Sequence, residues 1–367
     1  MENTFEARPP TIRVLARKLG LSKSAISLAL NNNPQLSVAT RRRVQEAAKR
    51  LGYRRNPTIS QLMTELRGSR MTAHRATLAF IHGKEKRNDL HAHRFGMLLH
   101  EGARDRAAAL GYALDTFWLY DPALPFDKLR AALRARNIRG LIFNNAERED
   151  GLLPNAMRLL VRDYPCVFDC ITEHSPLFHY CGCDNFSLTW TAIQHAHELG
   201  YRRPALVLSE RTHATSNSEL LGGYLAGLGD FMPDALQSIG INLFLSLPTS
   251  DPEARFAQWY KRSRPDVILY HEFALQHWLA ALNQRVPKDV GLINIDLDES
   301  DQRCTGMIHN HRTIGATTVD ILVSLIHAGE RGPVSHPVCT QVEATWRDGE
   351  TVRRPTRQHQ TRHTTQT

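Results

Sequence analysis

The chain has 367 residues, 42% of them hydrophobic, and a formal charge of +9. That length predicts two or three domains, and the apolar content excludes wholesale disorder. No apolar run reaches the roughly 18 residues of a membrane span. The opening MENTFEARPP lacks an apolar signal core, and six irregularly spaced cysteines read as reduced thiols. A cytoplasmic protein without membrane association is expected.

The charge is unevenly placed. Residues 1–75 hold fifteen Lys/Arg against four acidic residues, a net +11, while the rest of the chain sums to −2. A basic head on a near-neutral body is the distribution expected of a polyanion binder.

Residues 1–10 are polar and expected to form a disordered tail. Thr11 is placed to cap a helix whose Ile12, Leu15, Ala16 and Leu19 share one face, and Gly20 allows the sharp turn that closes it. Ser22 is placed to cap a second helix with Ala25, Ile26, Ala29 and Leu30 inward, ended by Asn31-Asn32-Asn33-Pro34. Ser37 opens a third helix carrying Val44, Ala47, Ala48 and Leu51, closed by Gly52. Two short helices joined by a tight turn, with small Ala16 and Gly20 where they approach, make a helix-turn-helix pattern. In that geometry the second helix lies in the major groove with its N-terminal residues at base edges. Those residues are Lys23 and Ser24, with Ser27 and Leu28 one turn on. Lys can donate to guanine or phosphate, Ser can bond either way, and Leu28 can touch a thymine methyl.

The next stretch, NPTISQLMTELRG, offers Asn56 as a cap, Pro57 at the first helical position and Gly68 as a stop. Ile59, Leu62, Met63 and Leu66 fall on one face. Such an apolar edge suits a wedge between base steps in the minor groove, and equally a linker helix packed on its own protein.

Beyond the connector 67–75, short apolar runs of strand length recur: ATLAFI, YALDTFW, GLIF, CVFD, ALVL, VILY and GLINI. Helical stretches at 91–110, 186–199, 251–262 and 272–284 lie among them. This alternation predicts parallel sheets with helices on both faces. Ligands in such sheets sit at the carboxyl ends of the strands. That rule selects Asn144 and Asn145 after GLIF, His271 and Glu272 after VILY, and Asp296 after GLINI. Arg94 and Phe95 open the first helix of the body.

Cys166, Cys170, Cys181 and Cys183, with His174 and His179 between them, lack the C-x2-C spacing of structural zinc and border apolar runs. Burial as small hydrophobes is expected, with no metal and no cofactor. His195 and His197 sit two apart on a helix and face different ways. G-x-S-x-G, G-x-x-x-x-G-K-[ST] and H-E-x-x-H are all absent, so no enzymatic activity is predicted.

Read whole, the segment TIRVLARKLGLSKSAISLALNNNPQLSVATRRRVQEAAKRLGY resembles the DNA-binding head of the lactose/galactose repressor (LacI/GalR) family. The resemblance continues through FGMLLHEGARDRAAALGYAL, RGLIF, CDNFSLTWTAIQHAHELGYRRPALVL, DVGLINIDLDE and HRTIGATTVDILVSLI, over roughly residues 11–350. It implies an N-terminal all-α helix-turn-helix head with a hinge helix, then an α/β periplasmic-binding-protein-like body of two doubly wound parallel-sheet subdomains. The implied boundaries are 11–56 for the head, 57–75 for the hinge and linker, and 76–352 for the effector-binding body. Within the body, 76–185 with 309–330 would form the N-subdomain and 186–308 with 331–352 the C-subdomain; 353–367 would be a disordered tail.

By position, the resemblance assigns base reading to Lys23 and Ser24, and DNA-backbone contacts to Ser22, Ser27, Asn31, Thr40, Tyr53 and Asn56. Leu62 matches the hinge leucine that enters the minor groove. Asp296 matches a position that bonds effector hydroxyls, and His311 one that lines the pocket. The sequence departs from the family at Leu28, where several members carry a base-reading Arg, and in its hinge wording. It also has Leu220 where sugar-binding members often place an Arg, and His271-Glu272 where Asn-Asp is usual. The implied partners are a double-stranded DNA operator of imperfectly palindromic sequence, a small-molecule effector related to a carbohydrate, and a second copy of the chain. Two other classes fit part of the pattern: a transport-type solute-binding protein fits the body, and a sequence-tolerant architectural DNA binder fits the head.

Overall fold

The computed structural model describes residues 12–30, 34, 36–51, 53, 76–83, 94–144, 157, 160–169, 178–237, 242–246, 251–271, 274–297 and 300–353. Several residues singled out above lie outside these: Thr11, Asn31, Asn56, Leu62 and the rest of segment 57–75, Asn145, Cys170, His174 and Glu272.

Three helices make the head: α1 (Ile12–Leu19), α2 (Lys23–Leu30) and α3 (Val38–Arg50). Their inward faces meet in a small core of Leu15, Ile26, Ala29, Val44, Ala47 and Ala48. The turn between α1 and α2 is closed by the Leu21 N–H donating to Ala16 O (3.0 Å), with Gly20 at φ +65°, where a Cβ would strain the backbone. Ser22 Oγ accepts from the Ala25 N–H at 3.0 Å and Ser37 Oγ from the Thr40 N–H at 3.2 Å, the bonds expected of N-caps. Arg43 donates to Leu19 O and Gln45 to Ala29 O, both at 3.2 Å, so α3 ties down the C-terminal ends of α1 and α2.

The body holds two six-stranded sheets. The strands are β1 (Ala76–His82), β2 (Tyr112–Trp118), β3 (Ile138–Asn144), β4 (Cys166–Phe168), β5 (His179–Cys183), β6 (Pro204–Ser209), β7 (Leu243–Ser246), β8 (Val267–Tyr270), β9 (Gly291–Asn294), β10 (Gly306–Ile308), β11 (Cys339–Val342) and β12 (Thr345–Arg347). The first sheet runs β11-β5-β4-β3-β1-β2 and the second β12-β10-β9-β8-β6-β7. Every described pairing is parallel except β10 with β12. The body helices are α4 (Arg94–Ala109), α5 (Phe126–Ala135), α6 (Asn185–Glu198), α7 (Glu210–Thr215), α8 (Glu219–Phe231), α9 (Pro233–Leu236), α10 (Pro252–Ser263), α11 (Leu275–Ala281) and α12 (His311–Ala328). Among the described residues no helix is long and apolar enough to cross a membrane.

One expected boundary moves. Residues 331–352 are not all part of the second unit, because β11 pairs with β5 in the first sheet and only β12 joins the second. The chain therefore passes between sheets three times: at Asp184 after β5, at 309–310 after β10, and at 343–344 after β11. The three crossings touch. The Asp184 N–H donates to Val342 O at 3.0 Å, and Asn310 Nδ2 donates to Glu343 O (2.8 Å) and Thr345 Oγ1 (3.0 Å).

Two helix pairs pack at the closeness that glycine permits. A Cβ on Gly102 of α4 would overlap the Arg312 carbonyl, and one on Gly315 of α12 the Leu99 carbonyl. Arg312–Glu101 and Arg106–Asp320 ion pairs join the same two helices. Gly223 of α8 meets Phe186 O and Thr189 of α6 in the same way.

Candidate functional site

Lys23, Ser24 and Ser27 belong to helix α2, the second helix of the head, and Leu28 on the same helix is half-buried. Tyr53 follows α3, its N–H bonded to Ala48 O at 2.9 Å. Thr40 shares a 2.8 Å hydroxyl contact with the Ser37 cap, which places it at the start of α3. Arg17, Lys18, Arg42, Arg43, Lys49 and Arg50 are all exposed, so the head keeps its positive charge at the surface.

In the body, the carboxyl ends of both sheets lead into the three crossings, and each end carries a polar cluster. On the first sheet, His82 ends β1, Asn144 ends β3 and Asp169 follows β4. His82 Nδ1–H donates to Asn144 Oδ1 at 2.9 Å, and Asn144 Nδ2 donates to Asp169 Oδ2. His82 is fully buried, stacked beside Trp118, and its Nε2 has no hydrogen-bond partner. Burial pushes this imidazole down to about 4, against the opposing pull of the Asn144 bond, because a second proton would sit in a dry pocket.

On the second sheet, Asp296 is the centre. Its N–H donates to Asn294 Oδ1 at 2.9 Å, which fixes the turn after β9. His271, just past β8, places Nε2 3.2 Å from Oδ2; His309 Nδ1 and His311 Nε2 lie 3.6 and 3.3 Å from Oδ1. Burial alone would raise the carboxyl, but the surrounding imidazoles outweigh it and hold Asp296 well below the usual carboxylate range. Burial likewise lowers His309 to about 4, although the Asp296 charge works the other way. The arrangement is an ionised carboxylate facing histidines, of which His309 is neutral at pH 7.

The ring of Phe95, at the start of α4, lies 4.8 Å from that of His311, the first residue of α12. Phe95 and His311 belong to helices on the first sheet, whereas Asp296, His271 and His309 follow strands of the second. The cluster thus spans both units beside the crossing at Asn310. Arg94 opens α4 as expected.

Leu220 has a structural explanation. It is 2% exposed and packs in the main core with Leu188, Tyr224 and Leu228, so it does not belong to the polar lining. Its neighbour Glu219 faces the crossings instead, accepting from Gln341 at 3.4 Å, with its carboxyl raised by burial. Cys166, Cys181 and Cys183 are buried free thiols, raised by burial.

Three residues of the clusters escaped the sequence reading: His82, Asp169 and His309. The strand-end rule that selected Asn144 and Asp296 covers them, since each ends or follows a strand. His309 was hidden because β10 has three residues, too few for an apolar run to register. A surface depression of about 450 Å³ lined by Arg203, Tyr260, Lys261 and Asp289 lies at the amino ends of the second sheet, away from these clusters.

Comparisons with known proteins agree with this layout. Residues 11–56 match the family described as "Bacterial regulatory proteins, lacI family". The HTH-type transcriptional regulator AglR of Rhizobium meliloti is 43% identical over 56 residues, 15% of this chain and 16% of that protein. The HTH-type transcriptional regulator CelR of Thermobifida fusca is 25% identical over 307 residues, 79% of this chain and 82% of that one. Among solved structures, a transcriptional regulator CelR–cellobiose complex superposes with a TM-score of 0.57 at 20% identity, covering 93% of this chain and 99% of that one. A lac repressor dimer bound to operator and the anti-inducer ONPF gives 0.54 at 17% identity, covering 95% and 100%. Residues 11–56 thus match the lacI family of bacterial regulatory proteins, and the three-helix head with two parallel sheets joined by three crossings has the fold of the CelR and lac repressor structures.

Proposed function

We propose that this chain is a sequence-specific DNA-binding transcriptional regulator, a repressor acting as a homodimer, whose operator affinity is set by a small carbohydrate-like effector in the cleft between the sheets. The observation that carries the proposal is the Asp296 cluster: it gathers side chains from both units at the crossings, in a chain that also bears a basic helix-turn-helix. A ligand held there binds one arrangement of the two units better than another, and that difference is the coupling free energy available to the head. Carboxylate, amide and imidazole groups in one cleft suit a polyhydroxylated ligand, since together they offer donors and acceptors to adjacent hydroxyls. The cellobiose complex of a structural relative supports the carbohydrate class, and the operator-bound lac repressor dimer supports the two-fold arrangement.

In this reading Lys23, Ser24, Ser27 and Leu28 face bases, Ser22, Asn31, Thr40, Tyr53 and Asn56 face the DNA backbone, and Leu62 enters the minor groove. Arg94, Phe95, Asn144, Asn145, His271, Glu272, Asp296 and His311 line the effector cleft. The named relatives are regulators, which favours this reading over a transport-type binding protein or a sequence-tolerant architectural one. The test is a thermal-shift screen of the full chain against mono- and disaccharides and sugar acids, followed by operator titrations with each stabilising compound. The expected result is a compound that both stabilises the protein and changes operator affinity. Stabilisation without any change on DNA overturns the coupling.

A further inference from the structure

Sugar recognition leaves one feature of the Asp296 cluster unexplained. Asp296 Oδ1, His309 Nδ1 and His311 Nε2 all lie within 4.8 Å of one another. The two nitrogens stand 3.6 and 3.3 Å from Oδ1. His311 Nε2 makes a long hydrogen bond to Oδ1, whereas His309 Nδ1 at 3.6 Å lies beyond hydrogen-bond range of it. Donors held at about 2.0–2.1 Å around one tetrahedral ion are instead separated by about 3.3–3.4 Å.

The hydrogen positions point the same way. His309 Nε2 donates to the Ile295 carbonyl at 2.7 Å, in a buried setting. A neutral ring bonded in that way carries its lone pair on Nδ1, which faces a carboxylate oxygen that also offers only lone pairs. A ring whose far nitrogen is anchored by a backbone carbonyl is the usual arrangement of a metal-bound histidine. His271 holds the other oxygen, Oδ2, at 3.2 Å and so orients the carboxylate without occupying Oδ1.

We propose that Asp296, His309 and His311 form a binding site for a divalent transition-metal ion of the zinc class, with a fourth position open to the cleft. Two imidazoles and one carboxylate favour such an ion over magnesium or calcium, which prefer all-oxygen sets. Three protein ligands leave a coordination position for water or for a ligand oxygen. The site also lies on the crossing: His309 and His311 flank Asn310, whose φ of 55° and bonds to Glu343 and Thr345 fix that link. A bound ion would therefore clamp the strand ends of the second sheet to the first turn of α12. The use of the open position rests on reading this cleft as the effector site; the ion itself does not.

The experiment is a titration of the tag-free, EDTA-stripped and desalted full chain with Co²⁺, followed optically, then displacement by Zn²⁺ and calorimetry with Zn²⁺. The expected result is one ion per chain with the absorption of a four-coordinate site. His309→Leu and, separately, the more accessible His311→Gln should each weaken binding roughly 100-fold or more, beyond the loss that follows when only a group bonded to a ligand is changed. The exposed His277→Ala should retain full affinity. Circular dichroism of each variant checks folding. A six-coordinate spectrum, or affinity unchanged in both variants, overturns the proposal. Operator titrations on the stripped protein separate the two readings. A sugar response without metal binding removes the ion and keeps the effector; metal binding with no response to any ligand does the reverse.

Discussion

Replacing His82 with Gln tests the acid sensitivity built into the first-sheet half of the cleft. His82 is fully buried, donates through Nδ1 to Asn144, and has no partner at Nε2. Burial lowers its pKa from 6.5 to about 4. The unfolded chain therefore takes up this proton on acidification before the folded protein does. The stability this neutral ring contributes is fully present above pH 6.5 and is lost as the pH falls toward 4. A gap of about 2.5 units corresponds to about 3 kcal/mol, or about 1.4 kcal/mol per pH unit inside the window. His309, also lowered to about 4 by burial, adds a second contribution of the same sign. Gln can keep a bond to Asn144 Oδ1 but does not titrate. The assay is urea unfolding of wild type and His82→Gln at pH 7.0, 6.0, 5.5, 5.0 and 4.5, with EDTA present, followed by far-ultraviolet circular dichroism. Between pH 6 and 5 the variant's stability should fall with acid by up to about 1.4 kcal/mol per pH unit less steeply than that of wild type. Parallel pH profiles would show that the His82 ring is not kept neutral by its surroundings and would refute the reasoning.

Three further outcomes follow from the same structure. Lys23→Ala should cost about 1–3 kcal/mol of operator affinity if the residue reads a base, seen as a larger loss on operator than on random DNA; equal losses would mean a phosphate contact. Gly315→Ala places a methyl against the Leu99 carbonyl, and since a backbone group cannot rotate away, it should destabilise the body by about 2–3 kcal/mol in denaturant unfolding. Unchanged stability would show that α4 and α12 separate freely. Asp296→Ala should abolish the effector's influence on operator affinity, measured beside the ligand-free affinity of the same variant, and a retained response would move the pocket elsewhere.

Much of the architecture was legible in the chain itself, because it rests on local chemistry. The caps at Ser22 and Ser37 and the turn at Gly20 are short-range events, and the apolar spacing of Leu15, Ile26, Ala29 and Val44 survives unchanged into the head's core. The seven apolar runs became strands because buried parallel strands read as continuous Val, Ile and Leu segments. Asn144 and Asp296 were found because strand ends can be located once the strands are known. Tertiary structure decided what depends on distant segments meeting. β11 contributes a strand to the first sheet although 155 residues separate its first residue from the last of β5, and its alternating burial leaves little apolar signal. His82 and Asp169 lie far from Asn144 in sequence, and only the β1-β3-β4 register makes them one network. The gathering of His271, His309 and His311 around one carboxylate is of the same kind. No spacing rule connects positions 271, 296, 309 and 311; the carboxyl ends of β8, β9 and β10 and the first turn of α12 bring them together.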